Sequence, residues 1–397
     1  MKVFSKSSLF TLCTKVLIMA AGVITSIITA KTLGPKGRGE LVFVLSFGLT
    51  VANFSNMGLP SSNIYMVGRN PKLLGPVAIN SFYLSVIGGI IALLCTLIFD
   101  HQDSNFIFHI LFLFIYVLFL MLQIFVCNLL VSINEIRKYN FIELTNVCVL
   151  ILYIYGFYTD GSVNYFLVAS LSAPVVGSLM GILFLIPKME LHSMAFNFKL
   201  FTEGFRYAIR VYATAILYFA IIRGNVFMIS FLKNNAELGY YSIAMQIVDA
   251  VTMFSATIAL LLFPYLLTQN QSDSKRSTIK VLILVAVILI SGACILGFTI
   301  KPMVLLVFGI KYLPVIPIVY ASLPVIILLG VNSIASQHIA AAGYPAYMVW
   351  IWGVGFLIWL ISSFFLIRLF GGVGAYLSLG LTFVFIFSNI LIKLVRS

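Results

Sequence analysis

Long apolar stretches recur along the whole chain and are separated by short polar segments. Each stretch is similar in length to the helix of about 20 residues that crosses the hydrocarbon core of a bilayer. Single strands cannot make such crossings, because every backbone N–H and C=O must find its partner within the segment when lipid surrounds it. The pattern therefore predicts an all-α membrane protein with about twelve transmembrane helices. The predicted spans are 8–30, 41–62, 76–99, 106–131, 140–158, 163–186, 208–232, 240–268, 277–299, 313–342, 346–367 and 373–394.

The composition supports lipid as the solvent of this chain. Of its 397 residues 62% are hydrophobic and 9% are charged, whereas soluble domains carry roughly 25% charged residues. The connections between spans are far shorter than the roughly 50 residues of a small domain, so we predict no enzymatic activity. The first apolar run is too long for a secretory signal and contains Lys15, and we expect it to remain as the first helix. The five cysteines lie in predicted spans without metal-ligand spacing and are interpreted as packing residues.

The basic residues predict the orientation in the membrane. Most of the 24 Lys and Arg residues fall on one side of the membrane if the N-terminus is cytoplasmic. Because basic residues are retained on the cytoplasmic side, both termini are predicted to be cytoplasmic. The net charge of +13 is spread along this face, which suits contact with anionic lipid headgroups. Nucleic acid is therefore not expected as a partner.

The two halves of the chain show an internal repeat. A polar loop from Gly34 to Gly39 follows the first span, and a similar loop from Lys233 to Gly239 follows the seventh. Each loop ends in a glycine and opens directly into the next helix, so Gly39 and Gly239 take equivalent places. Both halves begin on the same side of the membrane, which predicts a parallel repeat of two lobes that rock against each other. The predicted divisions are an N-terminal six-helix lobe (1–186), a cytoplasmic connecting segment (187–207) and a C-terminal six-helix lobe (208–397).

The first of these loops carries a family resemblance. The segment ITAKTLGPKGRGELVFVLS, with Gly34, Pro35, Gly37, Arg38 and Gly39, resembles the first loop of bacterial polysaccharide flippases. These are the O-antigen and exopolysaccharide transporters of the multidrug/oligosaccharidyl-lipid/polysaccharide exporter superfamily. ISFLKNNAELGYYSIAMQ, around Gly239, resembles their signature between the seventh and eighth spans, and LLVFGIKYLPVIPIVYASLPVIILLGVNSIASQHIAAAG resembles their ninth-to-tenth-span region. The likeness therefore covers both halves.

The resemblance implies two six-helix lobes around a central cavity in the bacterial cytoplasmic (inner) membrane. The implied activity is the flipping, by alternating access, of oligosaccharide repeat units on undecaprenyl diphosphate from the inner to the outer leaflet, for O-antigen, lipopolysaccharide or other surface polysaccharide. The implied partners are this lipid-linked oligosaccharide, membrane lipids, and the polymerase and glycosyltransferases of the same pathway. No cofactor is implied, apart from coupling to H+ or Na+.

Lys15 is a candidate substrate-binding residue in the first span. It lies on a largely polar stripe whose members recur at three- and four-residue steps, so that one helix face is poorly suited to lipid tails. The stripe consists of Thr11, Lys15, Ile18, Gly22, Thr25 and Thr29. Such a face should point into the bundle or a cavity, where Lys15 would contact an anionic substrate. Alternatively, its side chain extends to the cytoplasmic headgroups.

Arg223 is the strongest candidate for substrate binding. A guanidinium in mid-membrane is costly and normally faces a protein interior or a wet cavity. It lies about 13–14 Å below the outer end of the seventh span, at a rise of 1.5 Å per residue. Asp249 lies at the same depth in the eighth span, which predicts that the two side chains meet or share a pocket. The pair is either structural, or switchable: Arg223 then binds diphosphate through its planar fork while Asp249 takes a proton or a sodium ion.

Arg210 and Arg206, near the cytoplasmic start of the seventh span, could receive the diphosphate as it enters the cavity. Alternatively, they are topology determinants at the headgroup level.

Other polar residues within the predicted spans have structural interpretations. His338 forms a polar patch with Gln337 and Asn332, which predicts a hydrogen-bonded contact between helices or a proton relay. In the second span, Asn53, Asn56 and the Gly58-Leu59-Pro60 break predict a hinge or a helix end.

Two other functions are compatible with a polytopic chain. A drug or organic-cation exporter of the same superfamily should have an acidic, aromatic cavity and often an acidic residue in the first span. In this chain the first predicted span contains no acidic residue, and its charged residue is Lys15. A cationic substrate is therefore disfavoured. A polysaccharide polymerase or ligase should have a large external loop, which the predicted spans do not provide.

Overall fold

The computed structural model describes residues 6–99, 106–156, 161–189, 195–267, 269–341, 345 and 347–396. Every regular element in these ranges is a helix, as lipid surroundings require. Short 3₁₀ turns lie at Pro71–Leu73, Ile186–Lys188 and Ile310–Tyr312. The α-helices are α1 (Lys6–Ser55), α2 (Leu59–Arg69), α3 (Leu74–Phe99), α4 (Phe106–Ser132), α5 (Ile136–Gly156), α6 (Val163–Leu185), α7 (Phe198–Leu232), α8 (Asn235–Leu267), α9 (Gln271–Val307), α10 (Val315–Ala341), α11 (Tyr347–Phe370) and α12 (Gly372–Arg396).

Among the described residues, 11 helices are long and apolar enough to cross a membrane. The first of them, Thr14–Ser55, has 42 residues. At 1.5 Å per residue this is roughly 60 Å, or two bilayer crossings. It therefore covers most of both the first and the second predicted spans. The prediction of an all-α membrane protein with about twelve spans is confirmed.

The first predicted loop is reduced to one non-helical residue. Gly34 has φ 65° and ψ −178° inside α1, and the helix resumes at Pro35. Glycine adopts this backbone conformation without steric cost. Proline suits the first position of the new helix because it has no N–H to leave unpaired. The expectation of a polar loop from Gly34 to Gly39 was thus wrong in extent, because this glycine–proline pair turns the chain in a single step.

The predicted second span ends earlier than expected. α1 stops at Ser55, Met57 and Gly58 have positive φ values of 51° and 71°, and α2 begins at Leu59. The side chain of Asn56 accepts a hydrogen bond from the Gly58 N–H at 2.9 Å, which fixes the turn. The Gly58-Leu59-Pro60 break therefore marks a helix end, one of the two interpretations that the sequence left open.

Two helices extend well beyond the predicted apolar spans. α7 begins at Phe198, whereas its membrane-spanning part begins near Tyr212. α9 covers Gln271–Val307, beyond both ends of the predicted 277–299. Hydropathy reports where lipid contact ends, but helical structure continues into the polar boundary wherever the residues tolerate it.

The chain forms two compact units. The first-half unit comprises residues 2–25 and 44–216, and the second-half unit comprises 26–43 and 217–397. The second-half unit is packed around large aromatic side chains that are almost completely buried, namely Tyr241, Tyr312 and Tyr376. The first-half unit includes an aliphatic cluster around Leu129, Leu130 and Ile142. The division into lobes at 1–186 and 208–397 and the internal repeat stay predictions.

Candidate functional site

Arg223 and Asp249 form an ion pair inside the second-half unit. The Arg223 Nη2 donates to the Asp249 Oδ2 at 2.9 Å, and its Nη1 lies 3.0 Å from the sulfur of Met245. The two side chains are 25% and 45% exposed. The sequence predicted that these two side chains meet or share a pocket, and the structure shows them in direct contact. A carboxylate and a guanidinium that keep this much exposure remain open to a further ligand.

The connection between α7 and α8 is a tight turn. The side chain of Asn234 accepts a hydrogen bond from the Glu237 N–H at 2.9 Å as the cap of α8. Because α8 begins at Asn235 and not at the predicted Tyr240, Asp249 lies further from this turn along α8 than Arg223 does along α7. The contact is therefore present in the structure, but the equal count of residues that predicted it is not.

The face of α7 next to Arg223 is locked in place. The indole of Trp359 on α11 donates to the Asn225 Oδ1 at 3.0 Å, and the Asn225 amide donates to the Ala375 carbonyl at 3.3 Å. A Cβ at Gly224 would lie 2.3 Å from the Trp359 ring, so only glycine allows this approach. These contacts fix the rotation of α7, and with it the direction of the Arg223 side chain.

A cavity of about 170 Å³ adjoins the carboxylate of this pair. This volume has room for several water molecules at about 30 Å³ each, which suits a small hydrated ion and is too small for an oligosaccharide. Its wall combines hydroxyl and carboxylate oxygens with aromatic rings. The polar and aromatic lining residues are Tyr218, Tyr241, Asp249, Thr252, Ser255, Ser333 and Tyr376.

Lys15 belongs to a second cation–carboxylate pair, inside the first-half unit. Its Nζ lies 3.5 Å from the Glu143 Oε2 and donates to the Tyr139 hydroxyl at 3.1 Å. The Lys15 and Glu143 side chains are 36% and 23% exposed. The pair is longer than the Arg223 pair and its geometry is that of a point charge, without a bidentate fork.

Glu143 and Tyr139 were missed in the sequence. Both Lys15 and Glu143 lie in the third turn of helices that are predicted to start on the cytoplasmic side. The signal in the sequence was the carboxylate of Glu143 near the cytoplasmic start of the fifth predicted span, on the same side of the membrane as Lys15.

Arg38 occupies a polar cage in the second-half unit, although the sequence places it in an exposed loop. Its side chain donates five hydrogen bonds, and only 5% of the residue is exposed. Within the α1 break it donates to the Ser26 carbonyl (2.8 Å), the Ser26 hydroxyl (2.7 Å) and the Thr29 hydroxyl (2.7 Å). On α8 it donates to the Ser242 hydroxyl (2.8 Å) and to the side-chain amide oxygen of Gln246 (3.4 Å).

The two glycines that the sequence paired contact each other's loops. A Cβ at Gly39 would lie 1.7 Å from the Asn235 carbonyl oxygen, and a Cβ at Gly239 would lie 2.0 Å from the Pro35 carbonyl oxygen. Backbone therefore meets backbone on both sides, with no room for a side chain. This close contact is the reason for the glycine at each position.

The remaining predicted residues fall outside this geometry. The side chain of Arg210 lies outside the described residues, as does that of Thr11, and Arg206 is exposed. The His338 Nδ1 lies 3.2 Å from the Ser274 hydroxyl and 3.3 Å from the Thr278 hydroxyl, both on α9. His338 thus makes the contact between helices that was one of its two interpretations.

Solved structures share this arrangement of helices. An inward-facing multidrug resistance MATE family transporter of the MOP superfamily has a TM-score of 0.77 at 12% identity, with 95% of each chain covered. The lipid II flippase MurJ in an inward closed conformation has a TM-score of 0.78 at 14% identity, covering 98% of this chain and 87% of that one. A MOP superfamily transporter from Pyrococcus furiosus has a TM-score of 0.63 at 13% identity, covering 99% and 94%. The chain is therefore a multi-pass membrane protein with the fold of MOP-superfamily transporters.

The sequence comparison then gives the family. The profile of the polysaccharide biosynthesis protein family matches residues 4–268, and the chain belongs to this family. The resemblance to polysaccharide flippases of the exporter superfamily is confirmed. No curated protein sequence matches the chain. The proteins with this fold are named as transporters and flippases, not enzymes, in line with the prediction of no enzymatic activity.

Proposed function

We propose that this protein flips undecaprenyl-diphosphate-linked oligosaccharide repeat units from the inner to the outer leaflet of the bacterial cytoplasmic membrane. It does so by alternating access, with both termini in the cytoplasm, and serves surface polysaccharide biosynthesis. The observation that carries the proposal is the partly exposed Arg223 in mid-membrane, with Asp249 as its carboxylate partner. The family membership supports a role in polysaccharide assembly.

The diphosphate displaces Asp249 from Arg223 in this mechanism. A guanidinium has five N–H donors in a planar fork that fits two phosphate oxygens at once. Its contacts with Asp249 and Met245 leave donors for such a ligand. Because the guanidinium stays charged at any physiological pH, it can hold an anionic headgroup throughout the transport cycle.

Asp249, once released, provides the coupling site for a proton or a sodium ion. Its carboxylate lines the small cavity together with the hydroxyls of Thr252, Ser255 and Ser333. Carboxylate and hydroxyl oxygens are hard ligands that suit small, hard cations. Binding of the ion at Asp249 and of the diphosphate at Arg223 then favour each other, since each removes the other's competitor.

Lys15 and Arg210 are proposed as earlier contacts for the diphosphate on its way from the cytoplasm. Lys15 is held loosely by Glu143 at 3.5 Å, and its side chain is 36% exposed. A phosphate oxygen can replace this single contact at little cost, since partly exposed ion pairs contribute about 1 kcal/mol or less.

A drug or organic-cation exporter is the second candidate, because multidrug transporters have the same fold. Lys15 and Arg223 favour an anionic substrate over a cationic one, since each places a cation within a span. The two functions also predict different phenotypes. Loss of a flippase leaves lipid-linked repeat units on the cytoplasmic leaflet, whereas loss of an exporter sensitises cells to organic cations.

The test is a deletion strain that is complemented with variants at equal membrane abundance. We expect lipid-linked repeat units to accumulate on the inner leaflet of the deletion strain, and the parent gene to clear them. Arg223→Lys should reduce clearance roughly tenfold, because the bidentate contact is lost. Arg368→Lys, at the exposed end of α11, is the matched control and should clear normally. Normal clearance by Arg223→Ala would discard the substrate role.

The exchange of both charges tests the pair itself. Combining Arg223→Asp with Asp249→Arg should restore folded protein that either single charge reversal loses. No recovery of folded protein in the double variant would argue against direct contact between the two side chains.

A further inference from the structure

We propose that the hairpin at residues 26–43 and the start of α8 form a latch that closes the outer side of the transporter. We call this the outer latch and define it by Arg38, its cage residues Ser26, Thr29, Ser242 and Gln246, and the glycines Gly39 and Gly239. The inference rests on the proposed function for the orientation in the membrane and for alternating access. It gives a role to the motif that the diphosphate mechanism leaves unused.

The partners of Arg38 lie on two separate segments. Ser26 and Thr29 come from the same hairpin as Arg38, whereas Ser242 and Gln246 lie on α8 in the second half of the sequence. When the hairpin leaves α8, the guanidinium keeps its hairpin contacts and loses only the two contacts that cross. One side chain therefore both stabilises the hairpin and joins it to α8.

The chemistry of these contacts favours repeated opening. All five acceptors of Arg38 are neutral oxygens, with no carboxylate among them. Separation therefore leaves no unpaired carboxylate behind, and water can take the place of a hydroxyl and an amide. A buried ion pair would leave two uncompensated charges and would resist opening.

The glycine contacts add a flat backbone surface to the joint. Gly39 rests against the Asn235 carbonyl, and Gly239 rests against the Pro35 carbonyl, with no interlocking side chain at either point. The Tyr312 hydroxyl donates to the Ala30 carbonyl at 2.7 Å, which adds one more contact between the hairpin and the second half. Backbone contacts of this kind can separate and meet again without the repacking of interlocked side chains, whereas the burial of Ala30 in the core of the second-half unit opposes release.

The chain connectivity links the latch covalently to the first-half unit. Residues 26–43 belong to the second-half unit, yet both legs of the hairpin continue along α1 into residues 6–25 and 44–55 of the first-half unit. The hairpin is thus the part of the first half of the sequence that is held by the second half. Its release is the step that opens the outer side.

The test measures access to a buried reporter without any substrate. The reporter is Ala30→Cys, at a position with 0% exposure, in the full chain with its five native cysteines replaced. A membrane-impermeant maleimide is added to right-side-out vesicles, and the labelling rate is recorded. Ser242→Ala removes one crossing contact and should raise the rate at least about fivefold, since a hydrogen bond to a charged group corresponds to roughly tenfold in an equilibrium constant.

Ser322→Ala is the matched control. Ser242 and Ser322 are both buried and both donate to the carbonyl three residues earlier, at 2.7 Å in each case, but only Ser242 also accepts from Arg38. The control should label at the parent rate. Equal rates for Ser242→Ala and Ser322→Ala would overturn the proposal, and no rise with Gln246→Leu would overturn it as well.

A covalent latch provides the converse experiment. Arg38→Cys and Ser242→Cys are combined, and the two thiols are joined by a short bifunctional reagent that forms a disulfide with each. Joining should reduce reporter labelling at least about tenfold, and a reductant that cleaves the disulfides should restore the labelling. Unchanged labelling after joining would contradict the latch. These readouts need no lipid-linked sugar, so they can succeed while the clearance assay fails; in that case the latch stands and the proposed substrate falls.

Discussion

Arg38 and Arg223 are the same residue type in two polar surroundings of one unit. Arg38 makes five hydrogen bonds to neutral oxygens and is 5% exposed. Arg223 has one carboxylate and one thioether as described contacts, and its side chain is 25% exposed. Arg38 has no donor left for a ligand, whereas Arg223 has several. The number of donors already used, rather than the charge, separates a structural arginine from a binding one.

The largest expected effect is on stability, with Arg38→Ala compared with Arg223→Ala. Arg38→Ala empties a cage of oxygens and should lower the free energy of unfolding by about 3 kcal/mol or more. Arg223→Ala breaks one partly exposed pair and should cost about 1 kcal/mol. Thermal unfolding of the purified proteins in detergent measures both. Equal losses would remove the distinction between the two sites.

A smaller effect is expected from Gly239→Ala. The new methyl group would lie 2.0 Å from the Pro35 carbonyl oxygen, so one backbone must move. We expect a loss of about 2 kcal/mol, as for other overpacked sites. Gly353→Ala on α11 is the control, because nothing lies within 4 Å of the added methyl group. It should gain up to about 1 kcal/mol from helix propensity. If Gly239→Ala unfolds at the temperature of Gly353→Ala, the close backbone contact does not hold the latch region together.

Asp249→Asn should change stability less and transport more. The amide still accepts a hydrogen bond from Arg223, so we expect a stability change of about 1 kcal/mol or less. The coupling ion loses its charged ligand, and flux should no longer depend on the proton or sodium gradient. Flux that still follows the same gradient in Asp249→Asn would exclude this residue as the coupling site.

The smallest effect concerns the partly exposed carboxylate of Glu135, in the turn before α5. Hydrogen bonds from Lys188 and Lys138 lower the pKa of Glu135 from its ordinary value of 4.5. Because the folded-state pKa is the lower one, the stabilisation is present above pH 4.5 and is lost as the pH falls through the folded pKa. The difference in melting temperature between parent and Glu135→Gln should therefore be small near neutrality and vanish under acid conditions. A difference that grows on acidification would contradict this sign.

The sequence predicted the helices and the Arg223–Asp249 contact, but the physical arguments behind these predictions apply only within a span or between consecutive spans. Span lengths follow from bilayer thickness, and the predicted contact followed from equal counts of residues along two apolar spans. Neither argument shows which helices that are distant in sequence pack together. The cage of Arg38 depends on α8 meeting the α1 break, so Ser242 and Gln246 could not be assigned. Lys15 and Glu143 lie on helices that are likewise distant in sequence, so their contact could not be assigned either.

The most direct test of the account is the binding of undecaprenyl diphosphate to the purified full-length protein in detergent micelles. The account predicts that Arg223→Ala weakens the dissociation constant roughly tenfold or more, since a charge-assisted contact is lost. The exposed Arg368→Ala should bind with parental affinity. Equal affinities for the parent, Arg223→Ala and Arg368→Ala would contradict the claim that Arg223 receives the diphosphate.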